Sequence, residues 1–150
     1  MNTGAPAAEQ LKRIPASEVE FHEWYLGDPN GRLFIWRGEL YRGIAHHRAD
    51  FYRGLFESGI VRRLIETGHL VTTDLTDLQL DGYALVLKHR RLRFVSYPFC
   101  WSGTMLKDAA LLTLDLDIEL ARSGLMLQDA HPFNVLFDGS RPQFVDFTGI

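Results

Sequence analysis

The chain has 150 residues and a net charge of −3, with 46% hydrophobic, 12% aromatic and 23% charged residues. That length allows one domain with a real core, and the charge balance excludes the face-wide basic surface that neutralises nucleic-acid phosphates. No apolar run reaches the length of a membrane span and no charged-then-apolar leader opens the chain, so the cytoplasm is the expected location, with neither membrane nor nucleic acid as partner.

Residues 1–16 are small, polar and Pro-containing, and are expected to form a flexible lead-in. Asp28-Pro29-Asn30-Gly31 is a strong turn signal, because Pro presets one dihedral and Asn-Gly tolerates positive φ. Two short β-prone runs, 33–36 and 40–44, flank Arg37-Gly38-Glu39 and predict a hairpin. Over 48–57 the apolar residues Phe51, Tyr52, Leu55 and Phe56 recur at helical spacing, with Gly59 placed to cap them. Residues 60–67 repeat the pattern and close at Gly68. Strand-prone stretches follow at 70–73, 78–80, 83–88 and 92–95, with Asp81-Gly82 as a turn. The basic cluster Lys88, His89, Arg90, Arg91 and Arg93 reads as a solvated strand or turn face.

The clearest helix spans 103–122. Met105, Ala109, Leu112, Leu116 and Leu120 share one face, and Gly124 can end it. Leu106, Leu111, Leu114 and Ile118 widen the apolar stripe, so a second side is expected to be an exposed patch that makes the isolated chain self-associate. A loop over 128–133, a strand at 135–137, a turn at 138–142 and a strand at 143–147 complete the chain. The single cysteine, Cys100, excludes an intramolecular disulfide and fits a reducing compartment. Between Phe99 and Trp101 it reads as a small buried apolar residue.

Phosphoryl transfer needs a carboxylate to orient the attacking hydroxyl and oxygen ligands for Mg2+. The segment Asp129-Ala130-His131-Pro132-Phe133-Asn134, followed by a hairpin ending in Val145-Asp146-Phe147, offers both. It resembles the catalytic loop and metal-binding strand of kinase-like phosphotransferases, especially aminoglycoside and choline kinases. The resemblance implies Asp129 as catalytic base and Asn134 and Asp146 as Mg2+ ligands, all three converging on one cleft. Each also has a plain reading: Asp129 capping its own loop, Asn134 fixing a turn, Asp146 ending a strand.

Other parts of that machinery are altered. No GxGxxG is present, Leu127-Gln128 precede the loop Asp, and the position of the strand Lys falls on Arg42 or, on a later strand, Lys88. These two are the candidate phosphate contacts. Glu57 stands near the position of the helix Glu, but its stronger reading is a surface residue.

A second resemblance covers more of the chain. Tyr97-Pro98-Phe99-Cys100-Trp101, Leu106-Lys107-Asp108-Ala109-Ala110-Leu111-Leu112, Gln128-Asp129-Ala130 and Arg141-Pro142-Gln143-Phe144-Val145-Asp146 are similar to the N-terminal region of bacterial class I SAM-dependent methyltransferases of the nodulation type. Cys100 departs from that pattern, which has Glu there, and no acidic-Gly-x-Gly methyl-donor loop is present.

The expected fold is α+β and protein-kinase-like. Residues 17–96 would form a small mixed N-lobe, and 97–150 the first part of a truncated helical C-lobe. The expected function is that of a degenerate, pseudokinase-type segment of a larger methyltransferase-type protein, with the downstream domain of the same polypeptide as partner. ATP and Mg2+ would bind weakly or not at all, and SAM would bind only downstream. An active small-molecule phosphotransferase and a non-catalytic interaction module are the alternatives.

Overall fold

The computed structural model describes residues 12–22 and 27–150. In chain order it contains β1 (Lys12–Arg13), β2 (Glu20–Phe21), β3 (Gly31–Trp36), β4 (Glu39–Ile44), α1 (Ala49–Glu57) and α2 (Ile60–Glu66). There follow β5 (Thr73–Leu75), β6 (Leu78–Gln79), β7 (Leu85–His89), α3 (Gly103–Ala121), β8 (Val135–Asp138) and β9 (Arg141–Phe144). The result is a mixed α/β molecule centred on a five-stranded antiparallel sheet in the order β2–β3–β4–β7–β5. β1 pairs in parallel with β6, and β8 with β9 form a separate hairpin.

Local chemistry explains the main boundaries. Arg37 and Gly38, both at positive φ (52° and 80°), make the two-residue turn between β3 and β4, the geometry that suits the twist of a hairpin. Gly59 and Gly68, at 77° and 78°, end α1 and α2. The Ser102 side chain accepts the Met105 N–H at 3.3 Å and so caps α3.

The sheet separates two cores. Ile44, Leu85 and Leu87 face α1, α2 and α3, where they meet Tyr52, Leu64, Leu112, Leu116 and Phe147. Tyr41, Val86, Phe34, Leu80 and Ile14 pack on the opposite face. The two halves of the chain are tied by backbone bonds from Val71 N–H to Phe144 O and from Phe144 N–H to His69 O, both 2.9 Å.

Several expectations need correction. Ile14 is buried in the outer core and Lys12–Arg13 pairs with β6, so the lead-in expected through residue 16 is ordered from Lys12 onward; its residues 1–11 lie outside the described part. One apolar side chain outweighs its polar neighbours there. Residues 92–95 form no strand. The β7 ladder ends at His89, opposite Leu40 near the start of β4, and only Arg90 carries the pairing further, its N–H donating to Thr72 O at 2.8 Å. Cys100 is exposed: Phe99 before it packs at the surface on Tyr97, rings 5.8 Å apart, while Trp101 after it turns away to Phe137 at 5.1 Å. His89, expected on a solvated face, is buried. Among the described residues no helix is long and apolar enough to cross a membrane.

Candidate functional site

A cleft of about 600 Å3 opens between the residue 27–31 turn, Arg42, the residue 128–134 loop and the stretch after β9. Strand parity puts Arg42 there. It lies between Leu40 and Ile44 on β4 with its side chain on the helix-facing side, 5% exposed. Its Nη2 meets Asp146 Oδ1 at 3.0 Å, and its Nη1 lies 3.3 Å from Asp28 Oδ2 and also bonds Thr148 Oγ1. The Thr148 hydroxyl can donate to Asp28 Oδ2 at 2.7 Å or to Asp146 Oδ1 at 3.0 Å. One guanidinium and one hydroxyl therefore join two carboxylates, while Arg42 Nε is buried without a hydrogen bond.

The loop opposite is held by its own polar groups. Asp129 Oδ1 accepts the His131 N–H at 3.0 Å, and His131 Nδ1 accepts the Phe133 N–H at 3.3 Å. Asn134 Nδ2 donates to the Asp129 carbonyl at 3.2 Å. Gly149 O accepts the Gln128 N–H at 2.7 Å, joining the loop to the segment carrying Thr148. Such side-chain-to-backbone bonds fix a turn without regular structure.

Behind the cleft lie two buried polar rings. His89 Nδ1 and Thr73 Oγ1 are 2.9 Å apart, and His89 Nε2 has no hydrogen-bond partner. Burial, then the charge of Arg42, pushes its pKa down to about 3, so the imidazole is neutral. Tyr52 donates its hydroxyl to Thr148 O at 3.1 Å, and burial raises its pKa.

Arg42, Asp129, Asn134 and Asp146 are thus brought to one cleft. Lys88, the other candidate phosphate contact, is not. It pairs with Tyr41 on the opposite face of the sheet and binds Glu39 at 3.1 Å. That hydrogen bond is the main reason its pKa is raised. Glu57 is exposed on α1, and Tyr52 is the α1 residue that reaches the cleft network. Asp28 and Thr148 escaped the sequence reading. Asp28 reads as a turn residue, and it does accept the Asn30 N–H at 2.8 Å. Its tie to Thr148 spans 120 positions, so no local pattern signals it.

The Mg2+ expected at Asn134 and Asp146 fits this arrangement poorly. Asp146 Oδ1 is occupied by Arg42 and Thr148, and its Oδ2 lies 3.0 Å from where a side-chain carbon on Gly149 would stand. The Asn134 amide is turned to the Asp129 carbonyl. Mg2+ demands near-octahedral oxygen ligands at about 2.0–2.1 Å, and the Asp146 oxygen is committed to a guanidinium instead. Among the described residues no group of three His, Cys, Asp or Glu is placed to hold a metal ion.

Comparison with known proteins places the chain beside one named relative. It is 34% identical over 128 residues to the Nodulation protein NoeA of Rhizobium meliloti (strain 1021), which is 82% of this chain and 26% of that protein. The chain therefore spans about a quarter of the relative's length. No protein-family model matches it.

Proposed function

We propose that this chain is a degenerate, pseudokinase-type segment of a larger bacterial, nodulation-related protein of the SAM-dependent methyltransferase type. The observation that carries the reading is the single cleft in which Arg42, Asp129, Asn134 and Asp146 meet. Topology adds support. Arg42 stands on the third strand, in chain order, of the five-stranded sheet, helices follow it, and the loop of the preceding strand pair lines the cleft. Kinases place their phosphate-binding lysine and phosphate-covering loop in this way.

Degeneracy follows from what those positions hold. Arg42 is committed to Asp28 and Asp146, the loop over the cleft has no GxGxxG, and Glu57 points to solvent rather than to a strand cation. ATP with Mg2+ should bind weakly or not detectably. Calorimetry with Mg2+-ATP tests this and should give no saturable heat. Low-micromolar affinity that vanishes in Asp146→Ala would favour the alternative, an active phosphotransferase with Asp129 as base.

Methyl transfer and SAM belong, in this reading, to the rest of a longer polypeptide, because these residues contain no methyl-donor loop. The similarity to a nodulation protein of which the chain spans about a quarter supports that assignment. The covered surface would be the outer side of α3, where Leu106, Leu111, Leu114 and Ile118 are 47–61% exposed. Four large apolar side chains along one helix face mark a surface awaiting a partner. Light scattering should find the 150-residue chain self-associating and a longer polypeptide monodisperse. A monodisperse 17.2 kDa monomer from the short chain would refute the partner assignment.

A further inference from the structure

We infer that Arg42 masks a latent divalent-cation site formed by Asp28 and Asp146, its guanidinium standing where a metal ion would neutralise the two carboxylates. The inference goes beyond the reading above, since it holds whether or not nucleotide enters the cleft.

The case begins with the two acids. Asp28 lies on the turn before β3 and Asp146 just after β9, yet both reach the one Thr148 hydroxyl, at 2.7 and 3.0 Å. Two carboxylates this close repel unless a cation lies between them. Arg42 is that cation, with one Nη on each acid. Its buried Nε has no partner, so the two Nη contacts set the position of the group. An incoming hydrated Mg2+ or Mn2+ would have to displace a preformed, largely desolvated fork from Asp146.

The chain thus carries its own counter-ion on β4 and needs none from solution. The same contacts pin the residue 27–30 turn to the segment after β9, so the cleft keeps its shape without metal. With an uncharged side chain of similar length at position 42, the acids would face each other with only Thr148 between them, and a dication becomes the natural replacement.

The test is a Mn2+ titration without nucleotide, read by electron paramagnetic resonance of free Mn2+, so its failure is distinct from failure of the nucleotide reading. The wild-type chain should show no saturable Mn2+ binding that depends on Asp146. Arg42→Met should gain saturable binding, at least about tenfold tighter than the weakest wild-type binding the titration could detect, and Arg42→Met with Asp146→Asn should lose it again. A folded Arg42→Met that gains nothing overturns the inference, as does wild-type binding abolished by Asp146→Asn. If Arg42→Met does not fold, the wild-type titration decides alone: Asp146-dependent binding overturns the inference, and its absence supports it.

Discussion

Arg42 and Lys88 sit on neighbouring strands of one sheet, yet they live in different solvents. Arg42 faces the helices, is buried, and binds two carboxylates and a hydroxyl. Lys88 faces outward beside Tyr41 and holds a single exposed partner, Glu39. Side chains alternate along a strand, so one position of register separates a buried charge network from a surface ion pair. The lesson concerns magnitude as well as place. Removing one member of a buried pair strands the other, whereas an exposed pair contributes little in high dielectric.

The largest effect should come from the inner face. Arg42→Met leaves Asp28 and Asp146 facing each other and should lower stability by about 3–5 kcal/mol in denaturant unfolding. A loss near zero would mean that both carboxylates find water instead. The next concerns His89, whose folded pKa near 3 lies below its unfolded value. The unfolded chain binds the extra proton, so the stability due to this group is whole above about pH 6.5 and falls as pH drops toward 3. The slope should be about 1.4 kcal/mol per pH unit across that window, and His89→Gln should remove it. An unchanged slope in the variant would place the proton uptake elsewhere.

The outer face should respond less. A side-chain carbon on Gly43 would stand 2.5 Å from the Tyr83 ring, so Gly43→Ala must push that ring aside and should cost about 1–3 kcal/mol. Smallest is Lys88→Met, which should leave the melting temperature within experimental error. A large loss there would erase the contrast between the faces.

Much of this was legible in the sequence where the cause is local. The recurrence of Ala109, Leu112, Leu116 and Leu120 at steps of three and four marks the buried stripe of α3, and Gly59 and Gly68 mark helix ends. Asp129, Asn134 and Asp146 could be grouped because a short hairpin returns the chain to its starting point. Arg42 and Lys88 could not be separated, since their facing depends on a register that pairs Tyr41 with Lys88. Asp28 and Thr148 were invisible because their meeting is a product of the whole fold. The burial of His89 was hidden in the same way, inside a run of basic residues that advertises solvent.

The central claim is that Arg42 is committed to Asp146. A double-mutant cycle with Arg42→Met and Asp146→Asn, read by denaturant unfolding, measures it most directly. The account predicts a coupling energy of about 1.5–3 kcal/mol, the double variant losing less than the sum of the single losses. Additivity within about 0.5 kcal/mol would show that the two side chains act independently, and the Arg42-centred network would then have to be abandoned.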